Sequence, residues 1–270
     1  MSVLTRLARL EAQTAPAPPL PADPLAFAAA CGFPALDPWQ VEVLTGDWQR
    51  LLLNIARQVG KSSITALLAL RTALHTPHTL VLALSPGERQ SGELLGKCRD
   101  AYHALGQRGL VGTAEAEGAL HLTLPNASRI LALPGGEKGI RGFSAPALVI
   151  LDEASRIADP LYHAVSPMLA ISGGRLIMLS TPFGKRGVFY EAWTQGAAAW
   201  QRLELWAHDC PRYSAAFLAQ ERRTLPPAIY RQEFECSFEA LEGSVFGYED
   251  IHAALVDDMP ALWPAATEVA

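Results

Sequence analysis

The sequence is poor in the features that mark membrane, secreted and metal-stapled proteins. It has no apolar run near the roughly 18 residues that a membrane span requires. The first stretch, Met1 to Gln13, is broken by Arg6, Arg9 and Glu11, so it lacks the continuous apolar region of a secretory signal. A cytoplasmic location without membrane contact is the resulting expectation. The four cysteines, Cys31, Cys98, Cys210 and Cys236, include no C-x-x-C pair. That spacing argues against a zinc site and a disulfide framework and leaves buried thiols. Basic charge is also scarce: 22 Lys and Arg stand against 27 Asp and Glu, a net charge of -5. Attraction of the whole molecule to nucleic acid is therefore disfavoured, although local basic patches remain open to it.

What is present is a 270-residue chain that is 50% apolar, enough for one large α/β domain or a domain with a small appendage. The chain is organised around Leu51 to Ser63. There an apolar, strand-like run enters the turn Arg57-Gln58-Val59-Gly60, and Lys61-Ser62-Ser63 opens a helix with Ile64, Leu67, Leu68 and Leu74 at helical spacing. This is the layout of a phosphate-binding loop. Backbone N–H groups of the turn and helix start face phosphates, Lys61 adds a point charge, and the Ser62 hydroxyl takes a Mg²⁺ position. One departure is plain: Ile55 stands where the pattern usually has its first glycine.

Upstream, Val3, Leu4, Leu7 and Leu10 are spaced for a short helix that either docks on a partner or is mobile. Thr14 to Pro24 reads as an Ala/Pro linker. In Asp37-Pro38-Trp39-Gln40, Gln40 either reads an adenine edge with its donor and acceptor or belongs to a helix start beside a core Trp. Downstream, Thr79 to Ser85 reads as a buried strand ended by Pro86-Gly87, and Gly87 to Gly106 as helix. Leu120 to Leu133 has strand, turn, strand character. The loop Pro134 to Ser144, with Lys138 and Arg141 among glycines, suits an anion or another subunit, or is a solvated connection.

A fully apolar strand, Ala147 to Leu151, ends in Asp152-Glu153, which puts two carboxylates at the sheet edge where open α/β sheets bind ligands. Asp152 is expected to hold Mg²⁺ through water, and Glu153 to orient or deprotonate the attacking water. Joined with Lys61 and Ser62, the pair points to nucleotide hydrolysis. A further strand, Arg175 to Ser180, runs into Thr181-Pro182, whose hydroxyls are placed to sense a γ-phosphate. The following Gly184-Lys185-Arg186-Gly187 loop is placed to pass that state to a bound polymer.

Four segments in order, Arg57 to Ser62, Leu151 to Ala154, Leu179 to Pro182 and Tyr230 to Phe234, resemble the ATPase region of tailed-phage large terminase subunits. The resemblance spans roughly Leu36 to Phe246. It implies a three-layer P-loop fold of the additional-strand type, with a mainly parallel sheet and a small helical lid. The segments would divide as 1–24 flexible N-terminal segment, 25–208 ATPase core, 209–250 lid and 251–270 tail. In that family the loop often lacks its first glycine and carries an arginine where Arg57 stands. The resemblance also assigns Gln40 to the adenine, the run Arg57 to Ser63 to the nucleotide, Ser62 and Asp152 to Mg²⁺, and Glu153 to catalysis. It assigns Ser180, Thr181 and Pro182 to coupling. Arg141, acting on a neighbour's ATP, and Arg57, acting on its own, compete for the arginine-finger role. The implied activity is ATP hydrolysis that drives double-stranded DNA into a procapsid in the host cytoplasm, by a homo-oligomeric ring of five with portal and small subunit as partners. A helicase-like DNA-dependent ATPase and a nucleotide-gated docking subunit are the alternatives. The roughly 27 residues after Gly243 are too few for the family's nuclease domain, so no nuclease activity is expected of this chain.

Overall fold

Each long apolar run becomes a strand. The computed structural model describes residues 18–135, 140, 142–196 and 199–240. Its strands are β1 (Arg50–Ile55), β2 (Leu80–Ser85), β3 (Ala116–Glu117), β4 (His121–Thr123), β5 (Arg129–Pro134), β6 (Leu148–Asp152), β7 (Arg175–Ser180) and β8 (Gln201–Leu205). They form one eight-stranded sheet in the order β3-β4-β5-β2-β6-β7-β1-β8. Pairing is parallel from β5 through β8, while β3 and β4 add antiparallel at one edge. Strand β7 lies between β1 and β6, which is the additional-strand arrangement.

The sheet is covered on both faces, which is why its central strands read as unbroken apolar runs. Alternate residues feed two cores. Leu51, Leu53, Ile55, Val81, Ile150 and Ile177 pack with helices α1 (Pro24–Ala30), α2 (Pro38–Thr45), α3 (Lys61–His75) and α4 (Glu88–Gln107). Leu52, Leu82, Val149, Leu151, Leu176 and Met178 pack with α5 (Asp159–Ser172) and α6 (Gly187–Gln195). Burying one such leucine, for example Leu53 at 0% exposure, contributes roughly 1.5–3 kcal/mol. Cys31, Cys98, Cys210 and Cys236 are all buried free thiols, and burial pushes those of Cys31, Cys98 and Cys236 up to about 12.

Two short helices, α7 (Ala215–Thr224) and α8 (Pro227–Phe234), follow β8. Ser214 caps α7 by accepting from the Phe217 N–H at 3.2 Å. The chain after α8 returns to the sheet: Asn54 Nδ2 of β1 donates to the Cys236 carbonyl at 2.9 Å, and Cys236 Sγ donates to the Leu205 carbonyl of β8 at 3.1 Å. At the other end, residues 18–23, the close of the expected linker, run along α3. Leu20 packs on the core, and the carbonyls of Pro21 and Ala22 face His75 Nε2 at 3.0 Å and Arg71 Nη2 at 3.2 Å. The expected helix over Val3 to Leu10, Lys138 and Arg141 in the glycine-rich loop, and residues 241–270, which include the end of the expected lid and the expected tail, lie outside the described residues.

Candidate active site

The C-terminal ends of β1, β6 and β7 meet at one crevice, because the three strands are adjacent and parallel. Strand β1 ends at Ile55, which is fully buried, so the position that usually carries a glycine is a core position here. The chain then turns through Gln58, φ 54°, and Gly60, φ +93°, both left-handed. Gly60 has a second reason to lack a side chain: a Cβ there would lie 3.0 Å from Gln40 Nε2 and 3.5 Å from Arg212 Nη1. Helix α3 starts at Lys61, and the N–H groups of its first turn have no partner within the helix.

Lys61 is only 8% exposed. Its Nζ donates to Thr181 Oγ1 at 2.9 Å and lies 3.7 Å from Glu153 Oε1, so one cation sits between the ends of β6 and β7. Thr181 Oγ1 donates in turn to the Ile55 carbonyl at 3.2 Å, tying the end of β7 to that of β1. Asp152 is 6% exposed and accepts the Glu153 N–H on Oδ1 at 3.0 Å. Burial pushes its carboxyl up to about 6, with the neighbouring Glu153 charge adding and Lys61 opposing. Glu153 itself has φ 53° and ψ 46°. That conformation costs about 1–3 kcal/mol in a residue with a side chain, and such strain concentrates at functional sites. Its second oxygen lies 3.5 Å from Ser180 Oγ. Ser155, one residue past Ala154, has its Oγ 2.6 Å from Ser180 Oγ and donates to the Thr181 carbonyl at 2.8 Å.

The residues present suit a nucleotide with Mg²⁺. Gly60, Lys61 and the α3 N-terminus form a cradle whose first N–H groups favour an anion. The Ser62 hydroxyl and the Asp152 carboxylate are the oxygen donors that Mg²⁺ favours. A cleft of about 520 Å³ opens on this cradle, lined by Arg57, Gln58, Gly60, Lys61, Ser62 and Glu153 together with Arg89, Glu93 and Lys97 of α4.

Of the residues expected at the site, Lys61, Ser62, Asp152, Glu153, Ser180 and Thr181 come together, and Pro182 follows as a buried residue. Val59 is fully buried beneath the loop, and the Ser63 N–H donates to the Gly60 carbonyl at 3.2 Å. Gln40 is the third residue of α2, which Asp37 and Pro38 start, and its Oε1 accepts the Asp37 N–H at 3.0 Å. The helix-start reading of Gln40 therefore holds, while its amide nitrogen faces Gly60. Arg57 turns toward α8: its N–H donates to the Glu233 carbonyl at 3.3 Å, and its Nε lies 3.1 Å from Glu233 Oε2. Glu233 Oε2 accepts no hydrogen bond, so this contact is an ion pair off the N–H axis, with Arg57 62% exposed.

Four features escape the sequence reading. Arg212 donates from Nη1 to the Val59 carbonyl at 2.7 Å and pairs with Asp37 Oδ2 at 2.8 Å, joining α2, the loop and the segment before α7. Tyr213 beside it donates to the Arg57 carbonyl at 2.8 Å. No local pattern announces either residue. Arg89, Glu93 and Lys97 carry a usable signal, since a four-residue spacing places them on one face of the helix after β2. Ser155 has none beyond following Asp152-Glu153.

The family described as terminase large subunit, T4likevirus-type, N-terminal, matches residues 52–253. Among solved structures, the large terminase ATPase domain of Thermus phage P74-26 is 19% identical with a TM-score of 0.70, over 79% of this chain and 97% of that one. The large terminase of another thermophilic bacteriophage, solved in complex with ADP, is 12% identical with a TM-score of 0.62 over 75% of this chain and 54% of its own. The large terminase of bacteriophage HK97 is 17% identical with a TM-score of 0.62 over 76% of this chain and 51% of its own. The chain thus spans about half the length of the latter two. No curated protein sequence matches it.

Proposed function

Because this chain belongs to the T4-like terminase large subunit family, over residues 52–253, we propose that it hydrolyses ATP to drive double-stranded DNA into a viral procapsid. The observation that carries the reading is the meeting of Lys61, Asp152, Glu153 and Thr181 at the ends of three adjacent parallel strands.

In this reading Lys61 and the N–H groups of the α3 start grip the phosphates, and Ser62 and Asp152 hold Mg²⁺. The metal supplies charge neutralisation on the phosphates. Glu153 orients the attacking water and takes its proton, and Lys61 beside it fixes the carboxylate's direction. Gln40 and Arg212 set the loop from the adenine side. Arg57 is the candidate charge in cis and Arg141 the candidate in trans. Ser180, Thr181 and Pro182 report the γ-phosphate, since Ser180 faces Glu153 and Thr181 takes the Lys61 hydrogen bond. The segment after Asp209, with α7 and α8, acts as a lid through Glu233 and Tyr213, both bonded to the loop.

Assembly as a ring of five, with portal and small subunit as partners in the host cytoplasm, belongs to the same proposal. No helix among the described residues is long and apolar enough to cross a membrane. The reading assigns no DNA cleavage to this chain. Its test is ATP turnover with and without duplex DNA and procapsids. Stimulation by both is expected, and turnover indifferent to both would overturn the motor reading while leaving the ATPase.

A further inference from the structure

Ser155, bonded to Ser180 and Thr181 at the crevice, also lines a surface notch of about 440 Å³, together with Arg156, Asp159, Phe183 and Arg186 among others. Two segments build it. The 3-10 turn after Glu153, Ala154–Arg156, supplies Arg156, and the loop between β7 and α6 supplies Phe183 and Arg186. Both arginines are exposed. The Arg156 guanidinium lies 3.9 Å over the Phe183 ring, a cation–π contact that holds it at the notch while its N–H groups have no partner among the described residues. Asp159 is the carboxylate lining the notch, and its Oδ1 already accepts the Val188 N–H at 2.9 Å, at the start of α6. The notch is therefore cationic in a chain whose net charge is -5.

The notch is also wired to the γ-phosphate side of the crevice. Ser155 precedes Arg156, and its Oγ touches Ser180 Oγ at 2.6 Å and the Thr181 carbonyl at 2.8 Å. Ser180 faces Glu153 and Thr181 faces Lys61. Phe183 follows Thr181 by two residues along the same strand exit. One chain of hydrogen bonds therefore connects Glu153 and Lys61 to both walls of the notch.

We propose that Arg156 and Arg186 form a contact for the phosphate backbone of duplex DNA, through which hydrolysis acts on the polymer. Planar guanidinium groups suit phosphate oxygens, and backbone contacts carry no sequence demand, which a motor moving any DNA needs. The inference deepens the motor reading and rests on it.

The test compares the full chain with Arg156→Ala/Arg186→Ala, Arg156→Lys/Arg186→Lys and Ser155→Ala, reading duplex affinity across salt and ATP turnover with and without DNA. Each lost phosphate contact lowers the slope of log affinity against log salt by about 0.9. The Ala pair should lose up to about 1.8 of slope and its DNA stimulation while keeping basal turnover, and the Lys pair should recover the slope. Ser155→Ala should keep the slope and lose stimulation. A wild-type slope and stimulation in the Ala pair would overturn this contact alone. Wild-type chain that neither binds duplex at low salt nor responds to it would overturn the motor reading, and this inference with it.

Discussion

Replacing Asp152 with Asn should make the protein more stable in metal-free buffer at neutral pH. In the fold the Asp152 carboxyl is pushed from 3.8 up to about 6, first by burial and then by Glu153. Between those two values the unfolded chain has lost the Asp152 proton while the folded one keeps it, so stability falls as pH rises through the window. At about 1.4 kcal/mol per pH unit, the loss reaches roughly 3 kcal/mol above about pH 6. Asn carries no ionisable proton and keeps an oxygen for the Glu153 N–H, so the variant should lack this fall. Urea unfolding of both proteins from about pH 4 to pH 7 measures the difference. The gain should appear only as pH rises through the window, and added Mg²⁺ with nucleotide should reverse it by favouring the Asp152 anion. Parallel stability curves for the two proteins across this range would refute the burial argument.

Three further outcomes follow from the site. Lys61→Ala should abolish ATP binding in a calorimetric titration, because the buried cation between Thr181 and Glu153 disappears; wild-type affinity would contradict the phosphate-grip role. Gly60→Ala should lower the melting temperature by a loss of about 1–3 kcal/mol, because φ is +93° and the new Cβ would press on Gln40 at 3.0 Å, and an unchanged melt would refute it. If Arg141 acts in trans, Arg141→Ala and Glu153→Ala proteins, each nearly inactive alone, should regain turnover when assembled together. Mixed rings that stay inactive would move the role to Arg57 or remove it.

The parts of the site that are legible in the sequence are those that local physics confines to a few adjacent residues. A strand buried on both faces is apolar along most of its length, so β1, β6 and β7 are readable, and the polar residues at or beyond their ends then stand out as Lys61, Asp152 and Thr181. Strand β8 is not readable: it is an edge strand whose Gln201, Arg202 and Glu204 are exposed, with only Leu203 and Leu205 turned inward. Helix α5 hides behind Pro167 in its own interior. Arg212 reaches the loop across 153 residues of sequence separation, so only tertiary packing could reveal it. Gln40 shows the opposite limit. Its position stands out in the sequence, yet whether its amide caps α2 or reads a base depends on one hydrogen bond, to the Asp37 N–H.

In the proposed mechanism Glu153 activates water while Lys61 and the loop hold the nucleotide. Measuring ATP binding and ATP turnover on purified Glu153→Gln separates the two roles. Gln keeps the shape of Glu153 and its contact with Ser180, and leaves the Lys61 to Thr181 bond in place. Affinity should stay within a few-fold of wild type while turnover falls by about 10²–10⁴. Turnover near the wild-type rate in a variant that binds ATP normally would contradict it.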